Sequence, residues 1–92
     1  IIGKTNCEDL CFSGSSITCV KGPVINQVMD GCNAGGSSSG SAVAITKNLC
    51  DISIAGDQGG SIRIPSAYNG LIGFKPTFGL IPYSAILGIE YT

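Results

Sequence analysis

Apolar positions along the 92-residue chain fall in short blocks, separated by stretches rich in glycine and serine. Ile1-Ile2-Gly3 reads as the end of a buried strand. Thr5 or Asn6 can cap a short helix through Cys7-Glu8-Asp9-Leu10-Cys11, with both acidic residues in its first turn. Residues 12–36 show no sustained period and read as a long loop, with one brief extended piece at Ile17-Thr18-Cys19-Val20. A loop of that length is uncommon in a compact domain unless it is functional or packed against something else.

Beyond the loop the pattern sharpens. Ser39-Gly40-Ser41 leads into a short apolar helix at 42–48, whose small residues allow close packing. Asp51-Ile52-Ser53-Ile54-Ala55-Gly56 alternates and is bounded by glycine, the pattern of a buried strand. That strand would deliver Asp57 to Ser61 at its C-terminal end, where α/β sheets place ligands. A second short helix is expected over Arg63 to Asn69, with Pro65 in its first turn and Gly70 at C′. Leu71-Ile72-Gly73-Phe74 is a further buried strand, and the rest is turn and loop punctuated by Gly79, Pro82 and Gly88. The chain has no internal repeat and no linker.

A net charge of −1, with 12% charged residues, gives no electrostatic case for binding nucleic acid or an anionic membrane. No apolar run approaches the ~18 residues that would cross a bilayer. The charged share is about half that of ordinary soluble domains, which suits a slice of a larger fold whose surfaces are covered. The first residue is Ile1 rather than Met, and Glu90-Tyr91-Thr92 ends without a cap or polar tail. The expectation is therefore an internal fragment, set against the alternative of a small, unusually apolar intact domain. Five cysteines (Cys7, Cys11, Cys19, Cys32, Cys50) lack CxxC pairing, and there is no histidine to complete a zinc site. They read as free thiols packed as small core residues, and the reducing cytoplasm is the expected location.

The candidate chemistry lies in two related loops. Gly35-Gly36-Ser37-Ser38-Ser39-Gly40 and Asp57-Gln58-Gly59-Gly60-Ser61-Ile62-Arg63 each put a serine directly after a Gly-Gly pair, with Ser37 and Ser61 24 positions apart. Paired glycines let the backbone approach a ligand closely, and successive N–H groups there form an anion-attracting concavity. Residues 36–40 also satisfy G-x-S-x-G, but 31–36 makes a poor preceding strand and no histidine base is present. A P-loop fails because Ser41 stands where its lysine must be.

GGSSSGSA at 35–42, DQGGSIRIP at 57–65 and GFKPTFGLIPY at 73–83 together resemble the amidase signature family. The resemblance implies an α/β fold, of which residues 1–92 would be part of a single domain: a fragment of a large mixed β-sheet flanked by helices, lacking the upstream lysine region and the C-terminal portion. It implies hydrolysis of a carboxylic amide to the acid and ammonia, without metal or organic cofactor, through an acyl-enzyme on Ser61. Ser37, held by a cis peptide bond, would bridge Ser61 to a neutral lysine base, and backbone N–H groups of Gln58, Gly59, Gly60 and Ser61 would form the oxyanion hole. Asp57, Arg63 and Ser38 would support the site, with Arg63 pairing to Asp57. Ser38, Ser39 and Ser41 read as loop and helix-cap residues, and Tyr68, Phe74, Phe78 and Tyr83 as core or pocket wall. In the family the lysine precedes the bridging serine by several tens of residues, a position ahead of Ile1. Lys4, Lys21, Lys47 and Lys75 are misplaced for it, so the 92 residues alone should be inactive. The expected partner is a small-molecule amide, with no nucleic acid and no membrane, and a homo-oligomer is left open. Residues 57–60 and 77–83 look more like stand-alone amidases than the glutamine-hydrolysing subunit of tRNA-dependent amidotransferases. That subunit is the second reading and allophanate hydrolase the third. A non-catalytic module using the Gly-Ser loops as an anion nest is the alternative from another class.

Overall fold

The computed structural model describes residues 1–84 and 86, so the turn expected at Gly88 lies outside the described residues. A 3₁₀ turn at Asp9–Cys11 precedes two α-helices, α1 (Ser39–Thr46) and α2 (Arg63–Tyr68). Both helices stop by the same device. After α1, Asn48 takes a left-handed φ of 55°, its N–H donates to Ile45 O and the Leu49 N–H reaches back to Ala44 O. After α2, Gly70 (φ 66°) and Leu71 repeat the pattern onto Ala67 O and Ser66 O. These paired bonds satisfy carbonyls that a helix end leaves open, and after α2 the left-handed residue that makes them possible is the glycine expected at position 70.

Among the described residues no strand forms, and one isolated antiparallel bridge pairs Ile25 with Asn33. The strands expected at 1–3, 51–56 and 71–74 are extended segments without a ladder. Alternation alone does not make a strand, because each needs a neighbour to take its N–H and C=O groups. Their apolar side chains are uncovered as well, with Ile54 and Ile72 almost fully exposed. The large sheet is therefore not formed within these residues. Among the described residues Cys19, Ala34, Ala42 and Pro65 are the buried apolar side chains, and the rest of the buried set is polar: Glu8, Ser16, Asn26, Ser37, Ser38, Ser39, Ser41, Asp57, Ser66 and Asn69. The cysteines do not fill a core. Cys19 alone is buried, with Sγ 3.3 Å from Ser39 Oγ, whereas Cys7, Cys11 and Cys32 are exposed, and all five are free.

The N-terminal segment is tied across α1 rather than capping its own helix. Thr5 Oγ1 lies 2.9 Å from Ser41 Oγ, and the Asn6 carbonyl accepts the Gly40 N–H at 3.0 Å. Position 40 must be glycine for this crossing, since a Cβ would lie 2.5 Å from Asn6 O and 2.6 Å from Asn6 N. The helix expected at 7–11 shrinks to one turn, because Leu10 and Cys11 adopt φ of 49° and 56°. The long loop is held by side chains. Asn26 Nδ2 donates to Tyr68 O, and Asn69 Nδ2 donates to Ala34 O and Pro65 O, each at 2.8 Å. These bonds fasten residues 26–34 to the C-terminal end of α2, ahead of the first Gly-Gly-Ser run.

Candidate active site

The second Gly-Gly-Ser loop folds around one carboxylate. Asp57 Oδ1 accepts the Gly60 N–H at 2.7 Å, and Oδ2 accepts the N–H groups of Ile62 (3.1 Å) and Arg63 (3.2 Å). Arg63 closes the set with Nε on Oδ2 and Nη2 on Oδ1, both at 3.0 Å, a bidentate pair. The turn needs Gly60, whose φ of 129° is closed to ordinary side chains. The Asp57 side chain is fully buried, whereas that of Arg63 is half exposed. Burial alone would raise the Asp57 carboxyl, but the Arg63 side chain and the three backbone N–H groups outweigh it and hold the acid well below the usual carboxylate range.

This loop meets the first one through Ser38. Its N–H donates to Ser61 O at 3.2 Å and its hydroxyl to Gly56 O at 3.3 Å. Ser38 stands at the N-cap position of α1 without capping it, since its hydroxyl is spent on the other loop. Ser37 is buried, joined to Gly36 by a cis peptide bond, and its carbonyl accepts the Glu8 N–H at 3.0 Å. Ser37 and the half-buried Ser61 line one cavity of about 760 Å³, together with Asp57, Gln58 and Gly59. The remaining walls are largely apolar, among them Phe12, Ile54, Phe74, Phe78 and Tyr83, with the last two rings 5.2 Å apart at 43°. Asp57 and Lys75 are the charged residues of the lining among the described residues, and Lys75 Nζ donates to Pro76 O at 3.0 Å.

The sequence-derived candidates thus gather at one place: Ser37, Ser38, Asp57, Gln58, Gly59, Gly60, Ser61 and Arg63. The N–H of Gly60, expected among the oxyanion donors, donates to Asp57 Oδ1 at 2.7 Å. Glu8 was not singled out from the sequence. It is buried, and its carboxylate takes N–H groups from Ile17 (3.1 Å) and Thr18 (2.7 Å) and the Thr18 hydroxyl. The signal available was a carboxylate nine and ten residues ahead of an Ile-Thr pair, which carries no pattern of its own. Among the described residues no group of acidic, cysteine or histidine side chains is placed to hold a metal ion, and no helix is long and apolar enough to cross a membrane.

A sequence profile described as Amidase matches residues 1–92. The chain belongs to the amidase family. Its similarity to individual amidase-family proteins is substantial. It is 54% identical to an enantioselective amidase of Rhodococcus rhodochrous, over 89% of this chain and 16% of that protein. It is 44% identical to a glutamyl-tRNA(Gln) amidotransferase subunit of Methanosphaera stadtmanae, over 97% of this chain and 20% of that one. An indoleacetamide hydrolase of Pseudomonas syringae pv. syringae shares 42% identity over 100% of this chain and 21% of its own. The chain therefore spans about a fifth of the length of these amidase-family relatives. An α/β fold goes with the family.

Proposed function

We propose that this segment supplies the serine half of an amide-hydrolysing site in a longer cytoplasmic amidase. Ser61 Oγ attacks the carbonyl carbon of a small-molecule carboxylic amide, and Ser37 takes its proton and passes it to a lysine outside these 92 residues. The oxyanion is held by the N–H groups of Gln58, Gly59 and Ser61. The lysine then protonates the leaving nitrogen, ammonia departs, and Ser61 holds the acyl group as an ester. Water attacks that ester by the same proton route in reverse, releasing the acid and restoring the Ser61 hydroxyl. The observation that carries this reading is the convergence of Ser37 and Ser61 on one cavity, with their loops tied by the Ser38 N–H on Ser61 O. In the full-length protein the segments at 51–56 and 71–74 are proposed strands of a large mixed sheet, paired with residues this segment does not contain.

The experiment is Ser61→Ala in the full-length protein. We expect loss of amide hydrolysis on the order of 10³-fold or more in kcat with the fold retained. A fluorophosphonate should label Ser61 and no other serine, and labelling instead of Ser38, the central serine of the G-x-S-x-G match at 36–40, would restore that motif as the nucleophile. The second reading, the glutamine-hydrolysing component of an amidotransferase, draws on the 44% identity to such a protein. Glutaminase activity that depends on a partner protein and an aminoacyl-tRNA would select it.

A further inference from the structure

Glu8 is 1% exposed, and no cation pairs with its carboxylate among the described residues. A buried carboxylate is tolerated only when hydrogen bonds replace its water. Here they come from one short stretch: the N–H groups of Ile17 and Thr18, the Thr18 hydroxyl, and the Ser15 hydroxyl at 3.5 Å. The Thr18 hydroxyl in turn accepts the Asp9 N–H at 3.1 Å, which locks the donor geometry around Oε2. The other face of the residue belongs to the first Gly-Gly-Ser loop. The Glu8 N–H donates to Ser37 O at 3.0 Å, and a Cβ added to Gly36 would lie 3.0 Å from both Glu8 Cγ and Oε1. One residue therefore fastens the 15–18 loop, through its carboxylate, to the backbone of Ser37, through its N–H.

We propose that Glu8 is a positioning residue for Ser37, fixing through its carboxylate and its own N–H the backbone from which the bridging hydroxyl projects. The inference rests on the proposed relay through Ser37 and deepens it. Glu8 does not line the cavity. It acts by keeping Ser37 Oγ in line between Ser61 and the base, and a misplacement of about 1 Å at such a point costs on the order of 100-fold in rate. Glu8→Gln is the informative change because it keeps the shape. Its amide must turn an N–H₂ toward either the Ile17 N–H or the Thr18 N–H, so in both orientations a donor meets a donor where the carboxylate accepted.

The test is a double-mutant cycle in the full-length enzyme, with active sites counted by exhaustive fluorophosphonate labelling so that unfolded protein does not lower the measured rate. Glu8→Gln should reduce kcat per labelled site about 10- to 100-fold with little change in KM. In a Ser37→Ala background the same substitution should cost less than about threefold, because the group it positions is gone. Thr18→Val, which approaches the contact from the other side, should shift kcat in the same direction by less. Equal losses in both backgrounds would overturn the positioning role and leave the relay intact. If Ser37→Ala alone leaves turnover unchanged, the relay reading fails and the role of Glu8 through Ser37 falls with it.

Discussion

Replacing Asp57 with asparagine removes one charge and turns an acceptor into a donor at the centre of the 57–63 loop. Five N–H groups converge on the carboxylate. An amide oxygen in the Oδ2 position keeps Ile62 N, Arg63 N and Arg63 Nε, but then faces its own N–H₂ toward Gly60 N and Arg63 Nη2. Gly60 is buried, so its stranded N–H costs about 1–3 kcal/mol. The half-exposed guanidinium turns to water instead, where a surface ion pair adds little. The opposite orientation strands two backbone donors and is worse. The expected destabilisation is therefore about 1–3 kcal/mol. It is concentrated in the loop carrying Ser61, so the rate of fluorophosphonate labelling should fall about 10- to 100-fold. The native carboxyl lies below its unfolded value near ~3.9, so its contribution is complete above that value. It is lost as pH falls from there through the native pKa, and the asparagine variant should lack this acid-side slope. Urea unfolding of full-length wild type and variant between pH 7 and 3 reads both effects. An Asp57→Asn enzyme with unchanged labelling rate and unchanged stability at pH 7 would refute the assignment of this carboxylate as the organiser of the loop.

Two further outcomes follow from the packing. Gly40→Ala would drive a Cβ into the Asn6 backbone at 2.5–2.6 Å, and overpacking against main chain should cost at least about 1–3 kcal/mol, read as a lowered Tm of the full-length protein. The cavity walls at Phe12, Phe74, Phe78 and Tyr83 suit a ring-bearing acyl group, so kcat/KM for phenylacetamide should exceed that for acetamide by at least about tenfold. Equal values for the two amides would show that those walls do not contact the acyl group.

What the sequence made legible was the local chemistry. Asn48 was not foreseen as a helix stop, but Gly70 was, because a left-handed C′ residue is a demand of one helix turn alone. The two Gly-Gly-Ser loops were legible for the same reason, and their meeting was inferred from a family resemblance rather than from spacing. Residues 51–56 have the alternation of a strand and 71–74 read as a further one, yet a strand is a property of two segments, and no described partner supplies the second. Ser38 carried the signature of a cap, but its hydroxyl found Gly56 O, a bond across 18 positions that no local rule anticipates. Glu8 was hidden by its own position, since an acidic residue ahead of a short helix is an ordinary first-turn charge until the 15–18 loop folds over it.

The serine-rich interior has a thermal consequence. Exposing apolar surface raises the heat capacity on unfolding, whereas exposing polar surface lowers it. A region whose described buried set is dominated by Ser, Asn, Asp and Glu, with a proline and three small apolar residues beside them, adds little to that increment. Its opening therefore has an enthalpy that changes slowly with temperature. Local exchange of the amides at Gly60, Ile62 and Thr18 would follow a nearly straight van't Hoff line, set against the curvature of the whole enzyme. The two serine loops would keep their relative positions over a wider temperature range than a cluster of leucines could provide.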